Sequence, residues 1–79
     1  PVVCGGGLFF MDKRFDEIVA YLEKRFDVKI NVADRALAER RFIASFVNGE
    51  SLDEMLASFN ADEAMRIRRE GRIVNITKR

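Results

Sequence analysis

Hydrophobic positions recur along this chain with two different periods. Phe15, Ile18, Val19, Leu22 and Phe26 fall at i, i+3, i+4, i+7 and i+11, and Leu52, Met55, Leu56 and Phe59 at i, i+3, i+4 and i+7. That spacing lays one apolar stripe along an α-helix. Ser51, with Glu54 three residues on, has the form of a capping box and starts the second helix. Asp12 is the expected cap of the first, whose last turn carries Lys24 and Arg25, where the helix dipole favours positive charge.

The remaining apolar positions alternate with period two, or run together briefly, as in strands. Leu8-Phe9-Phe10-Met11 precedes the first helix, and Val28, Ile30 and Val32 alternate with Lys29 and Asn31 after it. Phe42, Ala44 and Phe46 alternate with Ile43, Ser45 and Val47 ahead of the second helix, with Asn48-Gly49-Glu50 as the turn between. Met65 and Ile67, then Ile73, Val74 and Ile76, read as a terminal hairpin around Glu70-Gly71. Asp34 to Glu39 is a polar connection with room for one helical turn at Ala36–Ala38.

The predicted order is β-α-β-β-α-β-β, an α+β domain in which two helices pack against small β-sheets. The phrase FDEIVAYL, residues 15–22, returns as LDEMLASF, residues 52–59. The chain therefore reads as a pseudo-repeat of two βαβ halves, each helix needing the same start signal and the same buried stripe. Asp16-Glu17 and Asp53-Glu54 sit in first helical turns, where carboxylates meet unpaired N–H groups. Adjacent helical residues point about 100° apart, so neither pair converges on one substrate atom as an acid and base would.

Size and composition narrow the functional classes. Seventy-nine residues, 48% hydrophobic and 34% charged, suit one small folded domain, residues 8–79, behind a flexible lead-in at residues 1–7. The start at Pro1 reads as a piece of a longer protein. No histidine is present to serve as an imidazole base, Cys4 is the lone cysteine, and the acids are spread through helix starts and turns. Catalytic, cofactor and metal sites are therefore each expected to be none. Gly5-Gly6-Gly7 precedes a strand instead of opening a helix, so it is read as a joint and not as a phosphate-binding loop.

Net charge is +1, unevenly distributed. Residues 64–79 carry six basic side chains against Glu70 alone, a net of +5, whereas residues 1–63 carry eight basic and twelve acidic ones, a net of −4. With a two-residue turn at Glu70-Gly71, Arg69 pairs with Arg72, Arg68 with Ile73, Ile67 with Val74, Arg66 with Asn75 and Met65 with Ile76. A three-residue loop with a bulge would shift this register. Met65, Ile67, Val74 and Ile76 then face the core, while Arg66, Arg68, Ile73 and Asn75, with Thr77, share the outward face. Arginine, an amide and an exposed isoleucine suit a protein interface; the competing reading is a solvated face whose charges protect a sheet edge. A nucleic-acid module would need outward aromatics on central strands, and Phe42 and Phe46 alternate as core residues instead.

These elements in this order resemble the C-terminal domain of FecR-type anti-sigma regulators, itself similar to the short N-terminal domain of secretins and TonB-dependent transporters. The resemblance runs through Gly7-Leu8-Phe9-Phe10, Phe15-Asp16-Glu17-Ile18, Phe26, Val28 with Ile30, Asp34, Phe42 with Phe46, Ser51-Leu52-Asp53-Glu54-Met55-Leu56 and Ile73 to Ile76. It implies a non-enzymatic periplasmic portion of an inner-membrane protein. Through parts outside this sequence, such a regulator crosses the membrane by a single helix and restrains an extracytoplasmic-function sigma factor. The partner implied for this domain is the signalling domain of a TonB-dependent outer-membrane transporter, with no nucleic acid involved. Arg66, Arg68, Ile73 and Asn75 are the expected partner-binding residues. A transporter's or secretin's own signalling domain is the alternative within the resemblance, and an ending soon after the last strand favours the regulator.

Overall fold

The computed structural model describes residues 2–4 and 7–79; Gly5 and Gly6 of the glycine joint lie outside the described residues. The elements are β1 (Val2–Cys4), β2 (Gly7–Arg14), α1 (Phe15–Phe26), β3 (Lys29–Val32), α2 (Arg35–Glu39), β4 (Arg41–Phe46), α3 (Leu52–Phe59), β5 (Met65–Glu70) and β6 (Ile73–Lys78). Two three-stranded sheets form, with strand orders β1-β2-β4 and β3-β6-β5. The α+β class holds. To the expected order the structure adds β1, which pairs with β2, and a third helix, α2, where one turn was expected.

The repeat seen in the sequence is a repeat of topology. In each half, β2-α1-β3 and β4-α3-β5, the first strand joins one sheet and the second joins the other. The helix carries the chain across. β2 and β4 pair antiparallel, and β3 and β5 flank β6, parallel and antiparallel to it respectively. Each half therefore supplies both sheets, and β6 joins the halves on one side.

Local chemistry sets the element ends. Ser51 Oγ accepts from Glu54 N–H at 3.2 Å and Glu54 Oε1 accepts from Ser51 N–H at 2.8 Å, so the capping box forms as read. Asp34 Oδ2 accepts from Leu37 N–H at 3.0 Å and starts α2, which satisfies the polar connection without extending it. The cap expected at Asp12 is corrected. β2 runs on to Arg14, and Asp12 sits at φ 51° where the β2–β4 register shifts between Phe10 and Lys13. A bulge takes up the residue that the sequence pattern assigned to a cap. Glu17 Oε1 instead accepts from Arg14 N–H at 3.3 Å, and α1 closes at Asp27, in the left-handed region at φ 53°.

The core lies between the sheets and the two longer helices. Phe10, Phe15, Ile18, Leu22, Val74 and Ile76 have no exposed surface. Phe59 of α3 stands among four rings, with centroids 6.1 Å from Phe10, 5.8 Å from Phe15, 5.1 Å from Phe42 and 5.6 Å from Phe46. Phe46 is buried in the core, and Phe42, half-buried, packs against it.

Candidate functional site

The terminal hairpin turns at Gly71-Arg72, one residue later than expected at each position. Glu70 faces Ile73 as the closing pair, and Gly71 takes φ 61°. A positive φ at the first loop position alone is the pattern of a type II′ turn, which favours glycine there. The observed partners are Met65 with Lys78, Arg66 with Thr77, Ile67 with Ile76, Arg68 with Asn75 and Arg69 with Val74. The expected pairs Arg66–Asn75 and Arg68–Ile73 are corrected by a slip of two. Such a slip keeps every side chain on its face, because the strand period is two.

Arg66, Arg68, Ile73 and Asn75 therefore do lie together on the outward face of the β3-β6-β5 sheet, all exposed. Arg68 stands directly across from Asn75. β3 completes the face. Lys29 pairs with Ile73 and Asn31 with Asn75, and Asn31 Nδ2 donates to Asn75 Oδ1 at 3.0 Å. Lys29 and Asn31 were absent from the sequence-based set. Their alternation with Val28, Ile30 and Val32 marked them as outward, but only the sheet order sets β3 beside β6.

The arginines divide into paired and unpaired ones. Arg14, Arg40, Arg41, Arg69, Arg72 and Arg79 all make ion pairs with Asp or Glu. Among the described residues Arg66 and Arg68 make none, nor do Arg25 of α1 and Arg35 of α2, but Arg66 and Arg68 stand together on one sheet face. Lys29, Arg66 and Arg68 share the face with Glu70 as its one acid. The ion pairs elsewhere are solvent-exposed and add little to stability. Away from this face, Arg40 reaches from the end of α2 to Asp62 at 2.6 Å, with its guanidinium 5.0 Å from the Phe42 ring centroid. That hydrogen bond, helped by the Ala64 N–H, holds the Asp62 carboxyl below its ordinary range.

A second exposed surface lies on the outer face of the β1-β2-β4 sheet, where Met11, Ile43 and Val47 are 68%, 72% and 57% exposed. Among the described residues no group of His, Cys, Asp and Glu is arranged to hold a metal ion. No helix there is long and apolar enough to cross a membrane. The arrangement offers flat, charged and apolar surface.

Residues 7–76 match the family described as FecR, C-terminal. The fold is similar to that of a protein from Parabacteroides distasonis ATCC 8503, provisionally assigned as an anti-sigma factor, in crystal structures at 1.65 and 2.50 Å resolution. Each superposes with a TM-score of 0.79 at 20% sequence identity, covering 94% of this chain and 34% of that one. The chain thus spans about a third of that protein's length. Comparison with curated proteins gives no match.

Proposed function

Since the chain belongs to the FecR C-terminal family, we propose that it is the periplasmic signal-receiving domain of a transmembrane anti-sigma regulator. Its partner on this reading is the signalling domain of a TonB-dependent outer-membrane transporter, and the sigma factor is restrained through the cytoplasmic part of the same regulator. The domain acts by binding, without catalysis or cofactor. The observation that carries the docking site is the pair of arginines, Arg66 and Arg68, set side by side on one exposed sheet face without a carboxylate ion-pair partner. A flat basic face complements an acidic patch and raises the rate and selectivity of encounter.

The test is a titration of the isotope-labelled domain with the signalling domain of a transporter encoded beside it, read by amide NMR shifts. Shifts confined to residues 64–77 and to Lys29–Asn31 are expected. Charge reversal by Arg66→Glu and Arg68→Glu should weaken binding by about 1–3 kcal/mol. Unchanged affinity in that double variant would remove the face from the interface. The exposed strip of Met11, Ile43 and Val47 favours one other reading, self-association, and a size that grows with concentration would reveal it.

A further inference from the structure

β5 is the edge strand of its sheet. In a two-residue hairpin the closing pair, here Glu70 and Ile73, exchanges both backbone hydrogen bonds, and bonded and non-bonded pairs then alternate. Arg66 and Arg68 thus turn their N–H and C=O groups toward β6, while Met65, Ile67 and Arg69 turn theirs outward. Asn60 bears this out. Its Oδ1 accepts from Met65 N–H at 2.9 Å, and its Nδ2 donates to Met65 C=O at 3.0 Å. One side-chain amide occupies the place of a neighbouring strand's peptide group. At Ile67 and Arg69 the outward N–H and C=O groups have no partner among the described residues.

Along this open edge α3 overhangs the sheet and leaves a groove of about 470 Å³. Leu56 and Ala57 of the helix and Ile67 of the strand supply its apolar lining, with Asn60, Asp53 and Arg79 at its polar margins. Met65, Arg66 and Arg69 of β5 also line it. The groove opens on the core side of the sheet, while by strand alternation the side chains of Arg66 and Arg68 point to the outward face. A strand laid along β5 would send alternate side chains to these two places.

We propose that β5 receives an extended segment of a partner protein by strand addition. The segment has an apolar side chain at the position that enters the groove and carboxylates at the flanking positions, over Arg66 and Arg68. This rests on the docking reading above and gives it a geometry. Ile67 and Arg69 contribute the backbone hydrogen bonds, the groove selects for apolar residues, and the two unpaired arginines select against basic ones. Asn60 fixes where the added strand stops, because the pairing position beyond Ile67 is already filled.

The probe is a blocked nine-residue peptide alternating valine with aspartate, titrated into the isotope-labelled domain. Saturable shifts at the Ile67, Arg69 and Ala57 amides are expected, with slowed hydrogen exchange at Ile67 and Arg69, and at least tenfold weaker binding when lysine replaces aspartate. Arg69→Pro removes one outward N–H at an edge position that tolerates proline, and should abolish binding. On the peptide side, N-methylation of alternate amides should abolish binding for one parity and spare it for the other, which tests strand pairing without altering the domain. Equal binding of both parities, or silence at millimolar peptide, overturns the proposal. If the transporter domain still shifts residues 64–77 and loses affinity on Arg66 and Arg68 reversal, edge pairing alone has failed. If it too is silent, the docking face falls as well.

Discussion

Removing the Phe59 ring is the most severe single test of how this fold is held together. The side chain is 4% exposed and meets Phe10, Phe15, Phe42 and Phe46. It is the point at which α3 packs against both α1 and the β1-β2-β4 sheet. Truncating a buried phenylalanine to alanine costs about 3–5 kcal/mol, transfer and cavity together. All four contacts at Phe59 are edge-on, a geometry worth about 0.5–1.5 kcal/mol beyond area for an isolated pair. The upper half of the range is therefore the expectation for Phe59→Ala. A 79-residue domain has about 4–12 kcal/mol of stability at the usual density per residue. The variant should be close to unfolding at 25 °C, with a midpoint lower by roughly 16–40 °C. Phe59→Leu keeps most of the volume and should cost about 1–2 kcal/mol. Phe26→Ala, at a half-buried site outside the ring cluster, should also cost about 1–2 kcal/mol. Urea unfolding followed by far-ultraviolet circular dichroism, extrapolated linearly to water, provides the comparison. A loss below about 1.5 kcal/mol for Phe59→Ala, or one no larger than that of Phe26→Ala, would refute the view that α3 is anchored through this ring.

Smaller perturbations test the local chemistry. Ser51→Ala deletes one half of the α3 capping box and should cost about 1 kcal/mol. Gly71→Ala should cost about 1 kcal/mol, all of it conformational, because a Cβ there meets no atom within 4 Å while φ remains at +61°; both are read as shifts in urea midpoint. Asn60→Ala leaves the Met65 backbone pair open and should cost about 1–3 kcal/mol, with the Met65 amide losing exchange protection by NMR. The Asp62 carboxyl titrates below its unfolded-state value, so its pairing with Arg40 contributes stability that is complete above that value. That contribution is lost as pH falls through the folded-state value. Asp62→Asn should accordingly flatten the acid limb of stability against pH and leave its neutral region parallel to wild type.

Much of the architecture was legible because it follows from period and end chemistry. The two helical stripes, the Ser51–Glu54 box and the two faces of the hairpin all rest on spacings of three, four or two residues. Each side chain there has one buried place to go. The hairpin register was not legible for the same reason. A slip of two conserves the faces, and only the positive φ of Gly71 at the first loop position decides between the alternatives. Asp12 resembles a cap in sequence, yet it is placed by the β2–β4 bulge, a property of the partner strand. Arg66, Arg68, Ile73 and Asn75 could be gathered from alternation alone. That the two arginines make no ion pair depends on which distant acids the fold delivers, and it brings Asp53 to Arg69 instead. Asn60 gave no signal at all. A helix-terminal asparagine ordinarily reads as a left-handed cap, and here its φ is −100° because its amide is turned to the sheet edge.

The position of β6 in its sheet has a temporal consequence. Among the described residues it is the last element along the chain and also the middle strand of β3-β6-β5, so β3 and β5 lack their sheet partner until it arrives. During vectorial appearance of the polypeptide, the β1-β2-β4 sheet can assemble once residue 46 is free. The second sheet, with the basic face it carries, waits for residue 78. A proteolytic cut at the exposed Gly71-Arg72 turn would separate the pairing template from everything it organises. It would take apart the basic sheet face in one step while leaving most of the residues in place.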